Sequence, residues 1–471
     1  MSQPSSIQGK FVTGSPLKHV INMTATASIG LVSIFIVDAL NLFYISMLGH
    51  GELAAAVGYA GTFLFFFTSI AIGLSIAATA LTARALGCGD REGAKEMAGA
   101  SLLFMTTVMT VMTVVLYPLL PLIMTGMGAT GETANMAVRF MRIVLPSTPI
   151  MAVGMCMSAL LRALGDAKRS MYVTLGAGAA TAILDPLFIF GLGLGLDGAA
   201  IANVLSRFVL IGIGYYGLVK VHGLFKKPSW VSARAVLPAF WAIAMPSILT
   251  QIATPVGNTF VTSAMAKFGD EAVAGWAVIG RLIPVAFGII FALSGAVGPI
   301  LGQNLGAQRF DRIRETMRES LKVTVIYVLV VWLLLALFRN QVAAIFGATG
   351  DAKNLIVFFC LFVSASFLFN GVLFVANAAF NNLGFAFYST MLNWGRATLG
   401  VIPFVWLGSH WFGATGVLAG YGLGVVIFGL VGGWLCFKVV ARLEKEAIKT
   451  QTTANNAVDD ATAIPSFKPT S

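Results

Sequence analysis

The chain has 471 residues, of which 58% are hydrophobic and 10% charged, against about 25% charged in an ordinary soluble domain, so a soluble fold of this length could not cover its apolar surface. Many windows exceed the ~18 apolar residues that mark a membrane-crossing helix, and the sequence predicts an all-α polytopic membrane protein. The net charge of +11 falls in clusters between apolar segments, which suits lipid headgroups and topology rather than nucleic acid, and no nucleic-acid partner is expected.

Residues Met1 to Gly14 are polar, and the apolar segment behind them continues past Leu40 with no small-residue cleavage site, which argues against a removed signal peptide. Twelve spans follow, predicted at 18–47, 53–86, 94–125, 133–160, 169–193, 197–221, 234–266, 272–305, 315–346, 353–381, 386–409 and 414–440. The polar segment from Thr450 to Ser471 reads as a disordered cytoplasmic tail. Sorting the cations by loop separates two sides. Lys10 and Lys18, Arg84, Arg91 and Lys95, Arg162, Lys168 and Arg169, Lys220, Lys226, Lys227 and Arg234, Arg309 to Lys322, and Lys438 to Lys449 share one side. The alternate loops carry His50 and Glu52, Glu132, Asp197, Asp270 with Glu271 and Lys267, Asp351 with Lys353, and His410. The positive-inside rule then makes both termini cytoplasmic. Arg139 and Arg142 near the outer end of the fourth span, and the uncharged turn at 382–385, fit this scheme less well.

The chain repeats itself. Gly128-Ala-Thr-Gly131-Glu132 returns 219 residues later as Gly347-Ala-Thr-Gly350-Asp351, and the same offset pairs Leu86-Gly87 with Leu305-Gly306 and Leu164-Gly165 with Leu383-Gly384. The chain therefore divides into a six-helix lobe at 1–222, a second at 223–449 and the tail at 450–471, with a basic linker at His222 to Ser232 between the lobes. Because six is even, the lobes are parallel repeats about a pseudo-two-fold axis along the membrane normal, an arrangement in which substrate binds between halves that rock against each other.

No catalytic centre is recognisable. Cys88, Cys156, Cys360 and Cys436 lack metal or redox spacing, and no H-E-x-x-H, G-x-S-x-G or P-loop pattern occurs. The informative residues are two lone carboxylates in apolar segments, Asp38 and Asp185, the latter directly before Pro186. An intramembrane carboxylate costs about 2.5–3.5 kcal/mol at a helix centre and is seldom kept without a use. Burial and a second nearby carboxylate both favour the protonated form, so such a pair can take up a proton from one side and release it to the other. The structural alternative is that each acid caps backbone freed where Pro186 interrupts its helix.

The segment Gly302-Gln-Asn-Leu-Gly-Ala307, the run Leu161-Arg-Ala-Leu-Gly-Asp166, and Leu184-Asp-Pro-Leu-Phe-Ile-Phe-Gly191 with Gly198-Ala-Ala-Ile-Ala202 together resemble the multidrug and toxic compound extrusion (MATE) transporters, DinF-like rather than NorM-like. The resemblance implies a twelve-helix, two-lobed antiporter of the bacterial inner membrane, working as a monomer without cofactor. It would export small organic, often cationic or amphipathic compounds in exchange for H⁺, with Na⁺ as the other possible ion. It also implies an ion site in the first lobe at Asp38 and Asp185, with Thr181 and Asn203 at positions where such members usually carry Asn and Thr. A metal would be held only as Na⁺ at the two acids. The acidic positions of NorM-like members read Thr254 and Asn370 here, which places coupling in the first lobe. Gln251, Asn258, Asn370, Asn377, Phe66 and Met155 are expected to line the cavity. A lipid-linked saccharide flippase of the same superfamily is the alternative; its strongly cationic cavity is not evident in this sequence.

Overall fold

The computed structural model describes residues 9–47 and 51–462, all of whose regular elements are helical. In chain order these are α1 (Pro16–Ser46), α2 (Gly51–Gly87), α3 (Arg91–Leu116), α4 (Leu120–Gly126), α5 (Gly131–Val144), α6 (Thr148–Ala163), α7 (Ala167–Pro186) and α8 (Gly195–Tyr215). The second half follows with α9 (Trp230–Met265), α10 (Asp270–Gly306), α11 (Phe310–Leu337), α12 (Arg339–Ile345), α13 (Gly350–Phe358), α14 (Phe367–Leu383), α15 (Ala386–Ala397) and α16 (Ile402–Thr462).

Eleven helical runs are long and apolar enough to span a bilayer. The last contains two passes. Gly413 takes φ 61°, ψ −141° inside α16, a conformation that favours glycine, and Gly400, Phe404 and Gly408 pack backbone against Gly424, Gly420 and Gly416. The chain thus turns back on itself near Phe412, which makes twelve passes among the described residues. One expectation fails: α16 runs on as helix to Thr462, where a disordered tail was expected from residue 450. The segment carries the helix formers Glu444-Lys445-Glu446-Ala447 and an Arg442–Glu446 pair one turn apart, which propagate an existing helix without a new nucleus. Residues 463–471 of the expected tail lie outside the described residues.

The repeat is visible in geometry. The short helices α4 and α12 have seven residues each, 219 apart, and the breaks at Leu145–Ser147 and Ser364–Ser366 stand at the same offset. Both breaks turn serine hydroxyls onto backbone carbonyls, Ser147 onto Val144 O at 2.7 Å in the first lobe and Ser364 and Ser366 onto Cys360 and Val363 O at 2.8 and 2.6 Å in the second, and Pro146 further removes a backbone donor in the first.

The basic segments meet at one end of the bundle, where Lys10 reaches Gly165, Arg84 reaches Asn382, Arg91 reaches His222, Lys226 pairs with Glu96, Arg312 reaches Phe11 and Arg314 pairs with Glu444, and there the lobes are clamped together. Burial is continuous over 296–304 of α10 and 375–383 of α14, while the far halves of α2 and α10 expose Phe65, Phe66 and Val285. At the pseudo-axis Gly87 lies against the backbone of Gln303 and Gly306 against that of Arg84. These two contacts exchange under the 219-residue offset, and a side chain at either glycine would hold the lobes apart. Residues 9–13 are pinned into the seam. Phe11 is 1% exposed; its N–H donates to Gln303 Oε1 (2.8 Å), and its carbonyl accepts from Arg312 Nη2 (2.9 Å). Gln303 Nε2 donates to Ala163 O (2.6 Å), Arg84 Nη2 to Asn382 O (3.1 Å) and Lys10 Nζ to Gly165 O (2.8 Å).

Asp166 closes the same end. It caps α7 through Arg169 N (3.1 Å) and contacts His222 Nε2 (2.7 Å). Burial alone would push its carboxyl up, but the hydrogen bonds from His222 and Arg169 outweigh it and hold the group below the usual carboxylate range.

Gln303 is 1% exposed and bonded on both sides of its amide. Gln303→Ala should therefore cost about 1–3 kcal/mol through the unpaired Phe11 N–H and Ala163 carbonyl, read as a lowered thermal midpoint in detergent. The same substitution should speed maleimide labelling of Cys88, whose thiol donates to Gly306 O across the seam. An unchanged midpoint together with unchanged labelling would show that the clamp does not depend on this side chain.

Candidate functional site

The first candidate site forms where α7 ends. Pro186 has no N–H to give to the preceding turn, and the chain continues as a wider π turn over Leu187–Gly191. Gly198, at the start of α8, sits directly against the backbone of Phe188 and Ile189, so α8 folds back tightly onto the interruption. Asp185 lies at this break and is completely buried. Its Oδ2 accepts from Asn41 Nδ2 of α1 at 3.0 Å, while Oδ1 has no hydrogen-bond partner among the described residues. One turn earlier Thr181 is 7% exposed, and its hydroxyl donates to Ala177 O at 3.1 Å. Asn203 stands on α8, packed on α7, with a buried Oδ1 that has no partner among the described residues. Position 38 is on α1, three residues before Asn41; the Asp38 side chain lies outside the described residues. Asn41 was not singled out by sequence reasoning, although an Asn one turn from an intramembrane Asp on the same helix face was the available signal.

The second lobe has a different chemistry. Asn377 is taken up by an interhelical bond, its Oδ1 accepting from Asn393 Nδ2 at 3.0 Å. Asn370 is 5% exposed and its Oδ1 has no partner among the described residues. Gln251 is half-buried and Asn258 exposed on α9, spaced with Thr254 along one helical face. Arg396 of α15 is buried and donates from Nη2 to Thr254 Oγ1 at 2.9 Å. Phe66 is exposed on α2, whereas Met155 is half-buried against the first-lobe core. Phe63 and Phe67 form a buried edge-to-face pair with centroids 5.5 Å apart. Arg207, without a nameable partner in the sequence, donates to Val144 O and Ser147 Oγ at 3.1 and 2.8 Å. Arg139, out of place by the charge rule, pairs with Asp197.

Comparison with known proteins decides the family. The MatE family model matches twice, over residues 26–187 and 246–407, more than half of the chain and with the two matches 220 residues apart. The chain belongs to the MatE family. As a member it is a multi-pass membrane transporter rather than an enzyme. Among curated relatives, the FAD transporter of Shewanella oneidensis is 26% identical over 447 residues, covering 93% of this chain and 97% of the relative. The multidrug export protein MepA of Staphylococcus haemolyticus is 22% identical over 87% of this chain and 90% of its own length. The crystal structure of the Vibrio cholerae MATE transporter VcmN matches with a TM-score of 0.86 at 26% identity, covering 91% of this chain and 97% of that one. An outward-facing multidrug resistance transporter of the MOP superfamily shares the fold with the same TM-score at 23% identity, over 94% and 99% of the two chains.

In this MatE protein the Asn41 amide is the only described donor to Asp185. Asn41→Leu should cost about 1–3 kcal/mol in thermal unfolding and distinctly less in an Asp185→Leu background, where no buried acceptor is left bare. Equal costs in both backgrounds would show that the 3.0 Å contact carries no coupling energy.

Proposed function

We propose that this MatE-family protein is an ion-coupled antiporter of the bacterial plasma membrane that exports small organic compounds, with H⁺ as the coupling ion. The observation that carries this reading is Asp185: a completely buried carboxylate, at a helix interruption, with one oxygen held by Asn41 and the other without a partner among the described residues. A structural acid would have both oxygens satisfied, because an unmet buried acceptor costs about 1–3 kcal/mol. A proton needs only that oxygen, whereas Na⁺ needs several oxygen ligands, for which Thr181, Asn203 and Asp38 are the nearest candidates in sequence and fold. Near the corresponding place in the second lobe, Ile402-Pro403 keeps a proline and has no acid.

By the positive-inside rule the clamped, basic end faces the cytoplasm with both termini. The described state is then closed to the cytoplasm, the form in which Asp185 would load from outside. Substrate would bind between the lobes near Gln251, Asn258, Asn370 and Phe66. The names of the relatives span multidrug export and FAD transport, so amphipathic dyes and flavin dinucleotide are both compounds to try.

Dye uptake into energised everted vesicles tests the reading. Asp185→Asn is expected to reduce coupled transport at least about tenfold, the scale of losing one charge-dependent step, and Asp38→Asn likewise, with no dependence on sodium at constant pH. Transport that survives Asp38→Asn and Asp185→Asn together would overturn the coupling mechanism. Collapse on sodium removal would reassign the ion to Na⁺.

A further inference from the structure

Arg396 is a buried ionisable group on the fifth pass of the second lobe, as Asp185 is on the fifth pass of the first, with the opposite charge. It lies ten residues into α15 from the basic end, about 15 Å along the helix and so near the middle of a hydrocarbon core of about 30 Å. It is 5% exposed, and a cation at that depth is costly unless it is paired or used. No carboxylate of its own lobe is available to pair with it. The stretches 232–269, 272–310 and 352–443, which supply every helix packed around it, contain no Asp or Glu, and no ion pair to Arg396 occurs among the described residues. Nη2 donates to the neutral Thr254 hydroxyl, the neutral Tyr421 hydroxyl is a second hydrogen-bond partner, and Nε is buried without a partner among the described residues. The position 219 residues earlier is Ala177, so the cation is not part of the scaffold that the lobes share.

Three further features surround it. Arg396 lines a small pocket with Thr254, Gly257, Asn258, Ala397 and Tyr421, about 10 Å³ in volume, room for an oxygen atom or two rather than a molecule. Thr254 and Asn258 are exposed on α9, so the pocket opens onto a polar helix face that continues to Gln251. A polar stripe of this kind belongs on a wet cleft rather than against lipid. Directly after Arg396 the helix is interrupted: Thr398 takes φ −107°, ψ −75°, Gly400 N reaches back to Gly395 O at 2.8 Å, and regular helix resumes only at Ile402. Interrupted helices near the midplane are where transporters expose backbone to their cargo.

We propose that Arg396, with Thr254, forms a subsite for the anionic group of an organic substrate, a carboxylate, sulfonate or phosphate whose terminal oxygens enter the pocket while the apolar body lies along the Gln251–Asn258 face of α9. Guanidinium is suited to such a group because its planar donors match two oxygens at once. The inference rests on the transporter reading and narrows its cargo: the first lobe holds a carboxylate for the coupling ion, and the second holds a cation for an acidic or zwitterionic cargo.

Two xanthene dyes of similar size and opposite charge, fluorescein and rhodamine 123, test it on the purified full-length protein by fluorescence anisotropy. Wild type should bind fluorescein, more weakly as salt is raised. Arg396→Gln should weaken fluorescein about tenfold or more, the loss of one charge-assisted hydrogen bond, with rhodamine 123 changed less than about twofold, and Arg396→Lys should retain part of the affinity. Thr254→Glu supplies a second variant that keeps Arg396 and sets a carboxylate against it; it too should abolish fluorescein binding. Absence of fluorescein binding in wild type, stabilisation by chloride alone, or fluorescein affinity unchanged in both Arg396→Gln and Thr254→Glu would overturn the proposal. The assay uses no ion gradient, so a failure of coupled efflux leaves it intact, and a protein that exports only rhodamine 123 would fail here while keeping the antiport reading.

Discussion

In hydrocarbon there is no water to satisfy a peptide group, so every backbone N–H and C=O must be paired within the chain or face a wet cavity. That constraint makes the described chain helical and gives meaning to the few places where a helix stops mid-membrane. At Pro146 and at Ser364–Ser366 the break is absorbed within the lobe by hydroxyl and neighbouring backbone groups. At Asp185-Pro186 and at Arg396–Val401 it coincides with a buried charge-bearing side chain that has an unpartnered atom. At the Pro146 break the buried Arg207 is fully engaged, donating to Val144 O and Ser147 Oγ, whereas Asp185 and Arg396 each keep an atom without a partner among the described residues.

The two lobes share geometry but not charge. Short helices, breaks and glycine contacts repeat at a fixed offset, as expected when one six-helix unit is used twice around an axis along the membrane normal. On that common frame one fifth pass carries a carboxylate and the other a guanidinium, each buried where the equivalent position in the partner lobe is apolar. The separation has a physical merit. An acid and a base in one low-dielectric pocket would neutralise each other, whereas in different lobes each stays available for its own ligand.

The clamp at the basic end explains why the N-terminal residues matter to the fold. Phe11 fills a core that contains Met23 and Ala167 from the first lobe and Ile300 and Phe380 from the second, and its backbone completes the hydrogen bonds of Gln303 and Arg312. From sequence, Gln303 and Asn304 stood out only as part of a motif. Their partners are about 140 and 290 residues away, beyond any local pattern.

Composition, periodicity and the internal offset by themselves determined the class, the twelve passes, the two-lobe division and the cost of Asp185, because a bilayer imposes length and polarity limits that can be counted along a chain. The α16 extension escaped that reading, since a polar sequence loses its helical signal once no apolar face is needed. Tertiary structure alone decided that Asn41 serves Asp185, that Asn377 is spent on Asn393, and that Arg396 sits buried beside Thr254 with no acid near. Each of these depends on which helices meet at which depth, and that is set by packing between distant segments rather than by the residues flanking each site.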